Sequence, residues 1–326
     1  MKLRHFALTF GLLTAVLSGA MPSAVAQTAY PTRPIRLIVP YPPGGGADAV
    51  ARVVSQSLSE RINAAVVVEN RPGAATNLGM DATARAAPDG YTFGLATSNL
   101  AINPPLYPNM PYKPKQDLTP VSLLSKGLYV LVVNPSVPAK SVKELIALAK
   151  AKPGTLNAAI AGFGTPGHLA LAQFNLLAGV DIASIPYQGA APAINAILGD
   201  TAQVLFISMA SALPYVKAGS LRMLAITSRE HSPDLPDVPN AREAGLPGDD
   251  IFEWYGVVAP ARTDPKQIDY LSGEIRKVLA DPSIQQKIKL LGAEAAPTTP
   301  DEFSSFIDSQ TTSLGEIVRR TGLKAQ

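Results

Sequence analysis

Short β-branched runs alternate with amphipathic stretches along most of this chain, which restricts it to a largely parallel sheet covered by helices on both faces. Residues 35–39 (IRLIV) form the first such run and stop at the Gly/Pro-rich turn 40–46. Val50, Val53, Val54, Leu58 and Ile62 then recur at three- and four-residue spacing, the apolar stripe of one helix. Residues 65–69 (AVVVE) read as a strand, 80–87 as a helix stopped by Pro88-Asp89-Gly90, and 91–96 as a third strand.

A second series opens with the buried-looking strand 128–133 (LYVLVV). Ser141 and Glu144 fit a capping box that starts a helix running to Lys152. Strands at 156–161, 182–185, 203–207 and 221–227 enclose helices at 166–177 and 190–198. Residues 233–248, rich in Pro, Gly and acids, read as a surface loop, and the pair Asp249-Asp250 beside it as a solvated turn. One more strand, 254–259 (WYGVVA), precedes a helical tail over 264–320 with breaks near Gly292 and 297–300. A helical tail of that size buries little by itself, so it is expected to return and complete the first unit. The expected organisation is one lobe from 27–127 and 254–326, a second from 128–253, and a cleft between them at the strand C-termini.

Residues 1–26 are expected to be a cleaved signal peptide. Lys2 and Arg4 precede an apolar stretch of about 14 residues, shorter than the roughly 20 needed to span a bilayer, and Ala24-Val25-Ala26 supplies small residues for cleavage. The leader carries two of the 28 basic residues and none of the 25 acidic ones, so the remainder is nearly balanced and has no nucleic-acid footprint. The expected location is the periplasm, with no later segment for the membrane. Without cysteine, an exported fold has to rely on core burial, and a 47% apolar, 16% charged chain can supply it.

Two strand-to-helix turns stand out for chemistry. Tyr41 through Asp48, with Gly45 and Gly46 at its centre, would let a ligand approach backbone amides at a helix N-terminus, which favours an anion. It lacks both the Gly-Lys-Ser/Thr of a phosphate-binding loop and the dinucleotide glycine spacing. The second turn, Gly162 through His168, carries Gly164 and a cap at Thr165 followed by Pro166, and would face the first across the cleft. Residues 71–79 (RPGAATNLG) make a third connection, with Asn77 able to contribute its side chain, and Tyr187 in the turn 186–189 stands near the cleft. No cofactor or metal site is expected: outside the leader the only histidines are His168 and His231, and cysteine is absent. An exported hydrolase using Ser208 or Ser98 with His168 is the enzymatic alternative, but no G-x-S-x-G elbow is present.

The segments YPPGGGADAVARVV, NRPGAA, APDGYTFG, KELIALAKAKPGTLN, AGFGTPGHLA, IPYQGAAPAI, VPNAREAGLPG, WYGVVAPARTDP and TPDEFSSFI resemble, in order, the Bug family of extracytoplasmic receptors for tripartite tricarboxylate transporters. The resemblance implies a type II periplasmic-binding-protein fold: two α/β lobes, joined by two crossing strands, that close on a small carboxylate. It implies a monomer that is not an enzyme, with a membrane permease, or alternatively a sensor kinase, as its partner. It places Tyr41, Gly45, Gly46, Asp48, Thr97, Ser98, Gly162, Gly164, Thr165, His168 and Tyr187 at the ligand, and Asn77 and Ser208 are expected beside them. Three departures from the family pattern follow. Ala75-Thr76-Asn77 replaces Gly-Gly-Asn, Ser184 and Gln188 replace a His and a Lys, and Ile207 replaces the acid that commonly holds an amino group. The last points to a non-amino mono- or dicarboxylate, with an aromatic acid within that class.

Overall fold

The computed structural model describes residues 30–228, 235–246 and 250–324. The leader, His231, Asp249 and parts of the loop 233–248 lie outside these residues. Among the described residues no helix is long and apolar enough to cross a membrane.

The first three strands, β1 (Ile35–Val39), β2 (Val66–Asn70) and β3 (Thr92–Thr97), are parallel, with β1 in the middle. Helices α1 (Gly46–Ile62) and α2 (Asn77–Ala84) make the two connections. The chain continues through α3 (Asn99–Leu106) and the single turn α4 (Pro114–Asp117). The apolar pattern does not announce α3, because Pro104 and Pro105 sit in its last turn.

The 16-residue strand β4 (Leu118–Val133) then runs through both halves of the molecule. Its first part pairs antiparallel with β9 (Phe252–Pro260), and its last five residues pair with β7 (Val204–Ser208) and β8 (Arg222–Ile226). β4 begins well before its LYVLVV run. Register shifts at Pro120/Ser122 and Leu123/Ser125 break the two-residue alternation there, and Pro120 sits at the first of them. β9 lies between β3 and β4, so an antiparallel strand from late in the chain completes the first half-sheet. In the second half β7 is parallel to β5 (Asn157–Ile160), which is parallel to β6 (Ala183–Pro186). Helices α5 (Val142–Ala151), α6 (Pro166–Ala178), α7 (Ala190–Leu198) and α8 (Met209–Lys217) cover that half.

Apolar burial on both faces explains the continuous apolar strands. Leu131 and Phe206 point into one core cluster, while their neighbours Val130, Val132, Leu205 and Ile207 point into another. Helices α9 (Pro265–Leu279) and α10 (Pro282–Leu290) share a core with α1, β1 and β3, and the short β10 (Ala293–Ala295) pairs with β4 at the predicted break. Helix α11 (Pro300–Thr321) begins with a capping box between Thr299 and Glu302 and lays Phe303, Ile307, Leu314 and Ile317 against α3 and α6. The Ser141 cap also forms, with Glu144 N–H donating to its hydroxyl at 3.2 Å; the Glu144 carboxylate accepts from Lys140 N–H instead of from Ser141.

Candidate functional site

The β1–α1 turn is organised from within. Buried Asp48, in the first turn of α1, accepts hydrogen bonds from the Gly44 amide (3.0 Å), Arg52 Nε (2.9 Å) and Asn70 Nδ2 (2.9 Å). Burial pushes this carboxyl up, but the hydrogen bonds and the Arg52 charge together outweigh it and hold it below the usual range. Gly45 is the N-cap of α1 and supplies no side-chain cap, so the first amides of the helix remain available on the face lined by Gly45, Gly46 and Ala47.

Opposite stands the β5–α6 turn. Gly162 and Gly164 take positive φ values of 124° and 67°, which lets the chain turn sharply into Thr165. Thr165 accepts from the His168 amide (3.4 Å) and donates to Gly162 O (2.9 Å). The Nδ1 of His168 accepts from Gly164 N–H at 3.2 Å, and burial depresses this imidazole to about 4, so it is neutral at ordinary pH and holds the turn. The contribution to stability is therefore complete above the unfolded value near 6.5 and is lost as pH falls toward 4. Stability should drop by on the order of 2–3 kcal/mol over that window. His168→Asn should flatten that part of the urea-midpoint profile; an unchanged profile would rule out this role.

One polar chain joins the two turns. Tyr41 Oη donates to Asn99 Oδ1 (2.7 Å), and Asn99 Nδ2 donates to Gly164 O (2.9 Å). One turn further along α3, Asn103 Nδ2 donates to Ala75 O (2.7 Å) and Asn77 Oδ1 (3.0 Å), tying in the third connection. Both asparagines are wholly buried. They were missed because α3 itself carried no legible periodicity, although two amides four residues apart in an otherwise apolar stretch were a usable signal.

The cavity between the turns brings together Tyr41, Gly45, Gly46, Thr165 and Ser208 from the expected set. The other expected residues lie outside its lining. Asp48, Gly162, Gly164 and His168 shape the two turns. Asn77 is held by Asn103, and Thr97 Oγ1 accepts from the Asn99 amide. Ser98 accepts from Trp254 N–H and donates to Phe252 O, while half-buried Tyr187 packs on the second half-sheet. Neither Ser98 nor Ser208 is hydrogen-bonded to His168; Ser208 Oγ instead lies 3.0 Å from Ser211 Oγ.

Sequence reasoning missed much of the remaining lining. Tyr129 enters from β4, Gln188 and Gly189 from the turn before α7, Ala190 to Pro192 from the first turn of α7, and Glu253 and Tyr255 from β9. Residues 253 and 255 share one face of β9, and burial pushes Glu253 up to about 7 while hydrogen bonds from Tyr255 and Ser208 oppose the rise. Burial, followed by the nearby Glu253, raises the phenols of Tyr41 and Tyr129, and the same two causes lead at Tyr255, so all three are neutral hydroxyls. The lining contains no Lys, Arg or His. Such a site offers amide and hydroxyl donors and one carboxyl.

Comparison with known proteins accords with this architecture. Residues 50–323 match the tripartite tricarboxylate transporter family receptor. Protein BugT of Bordetella pertussis is 38% identical over 326 residues, covering 99% of each chain. An R. palustris protein solved with adipate matches at a TM-score of 0.88 and 30% identity, over 90% of this chain and 99% of its own. MatC from Rhodopseudomonas palustris, solved with bound malate, matches at a TM-score of 0.82 and 28% identity, over 89% and 100%. With its curled α/β sheet and paired turns around one cleft, this chain belongs to the tripartite tricarboxylate transporter receptor family and is a periplasmic solute-binding receptor of the Bug type.

Proposed function

We propose that this receptor captures a small organic acid by laying a carboxylate on the first amides of α1, with Thr165 and Ser208 adding hydroxyl contacts, and delivers it to a tripartite tricarboxylate-type permease. The observation that carries this reading is a helix N-terminus with no side-chain cap on a cavity wall that has no cationic side chain. An anion held there has to be held by backbone N–H groups and hydroxyls. The adipate and malate bound to the two R. palustris proteins belong to the same chemical class. Closure would bring the 128–253 body onto the body formed by 27–127 and 254–326, with 1–26 removed on export. The expectation of a non-amino ligand rested on the missing acid at Ile207. Glu253 supplies a carboxyl to the same cavity from another strand, so that ground no longer holds.

A thermal-shift screen of ligand-free protein against mono-, di- and aromatic carboxylates and amino acids tests the proposal. A ligand at 100 times its Kd should add about 2.7 kcal/mol, a rise of several degrees for a chain of this size. Silence across every carboxylate-bearing compound would overturn it.

A further inference from the structure

Glu253 is the one acid on the cavity wall, and the fold gives it no cation. The hydroxyls of Tyr255 and Ser208 lie close enough to its carboxyl to favour the ionised form against the effect of burial. The titratable groups facing it are all phenols: Tyr41 from the β1–α1 turn, Tyr129 from β4 and Tyr255 from its own strand. β7 adds Ile207 and Ser208, α8 adds Ser211, and the turn before α7 adds Gln188 and Gly189, none of which titrates near neutral pH. No ion pair involves Glu253 among the described residues. Glu253 is partly buried on the cavity wall, and an acid so placed is rarely left without a paired charge, because the charged form loses hydration. Here the position a counter-ion would fill is ligand space.

We infer that the ligand carries a protonated nitrogen in addition to its carboxylate, and that Glu253 is the specificity-determining residue that receives it. This deepens the proposed function and rests on it. The cavity is bipolar in the required sense. The first residues of α1 and Glu253 both border the cavity, so it offers helix amides for an anion and a carboxyl for a cation. A hydroxyl-only site would discriminate poorly between an ammonium and a neutral group; a carboxylate does so by charge.

The two signs of ligand charge make opposite demands on Glu253. An ammonium beside it favours the ionised form, whereas a second carboxylate can approach only if Glu253 takes up a proton. With burial holding the carboxyl near 7, affinity for an amino carboxylate should rise between pH 6 and pH 8, and affinity for a dicarboxylate should fall.

Isothermal titration calorimetry of the ligand-free full-length mature protein with matched pairs tests this: adipate and 6-aminohexanoate, malate and aspartate, terephthalate and 4-(aminomethyl)benzoate, each at pH 6 and pH 8. In at least one pair the amine-bearing member should bind at least tenfold more tightly at pH 8 and strengthen from pH 6. Glu253→Gln should remove both the preference and the pH slope. The wild-type slope alone tests the charge assignment if that variant does not fold. Preference for the dicarboxylate, with affinity falling from pH 6 to pH 8, would overturn the inference and leave the carboxylate receptor intact. An amine preference that survives in Glu253→Gln would also overturn it. Binding of none of the six compounds would overturn the inference, and silence across the wider carboxylate screen as well would overturn the carboxylate reading beneath it.

Discussion

Trp254→Ala should lower the unfolding free energy by about 3–5 kcal/mol, the range for emptying a large aromatic site. Trp254 is 0% exposed and makes edge-to-face contacts with Phe303 and Phe306 of α11, at centroid distances of 5.9 and 5.4 Å. The void cannot be filled from its own strand. The next residue on the same face is Gly256, where a Cβ would already lie 2.1 Å from Phe303 Cζ. The indole N–H is buried without a partner, so removing it returns part of the loss. Trp254→Phe should accordingly cost less than Trp254→Ala. Urea unfolding checks both variants, and a loss below about 1 kcal/mol in the alanine variant would mean that α11 is held elsewhere. With no disulfide in the chain, no covalent link compensates for a weakened core.

Gly45→Val should cost at least 100-fold in affinity, about 2.7 kcal/mol, while lowering stability by no more than about 1 kcal/mol through the poorer helix cap. Gly45 has an ordinary extended backbone, φ −86° and ψ 174°, and nothing lies within 4 Å of a Cβ built on it. Valine fits the fold there, and its methyl groups would stand on the cavity wall between a ligand and the amides of Gly46 and Ala47. Gly162→Val is the contrasting variant. Its φ of 124° strains any side-chain-bearing residue whatever the ligand does, so it should lose stability as well as binding. Unaltered affinity in Gly45→Val, measured by calorimetry with any ligand found in the thermal-shift screen, would end the amide-cradle model.

Much of this architecture is legible in local chemistry. Strands buried on both faces keep unbroken apolar runs, and the caps at Ser141 and Thr165 mark helix starts that the structure reproduces. What escaped depends on distant partners. The first part of β4 is a strand because β9 and β10 pair with it, across two irregularities that erase its alternation. Glu253 opens an apolar strand, where an acid looks like the end of a loop; only the approach of Ser208, Tyr41 and Tyr129 from other elements makes it part of a cavity wall. Asn99 and Asn103 likewise acquire a role only once the third connection and the β5–α6 turn are brought against α3.

The position of β9 also determines when the molecule can become itself. β3 and β4 are neighbours in the chain but not in the sheet, and the strand that belongs between them begins only at Phe252. Until it has emerged, β3 keeps an open edge and β4 lacks the partner for most of its length. Contacts so far apart in sequence form late and slowly. The β3 edge and the first part of β4 therefore stay unsatisfied until nearly the whole chain is available, and only then can the sheet close.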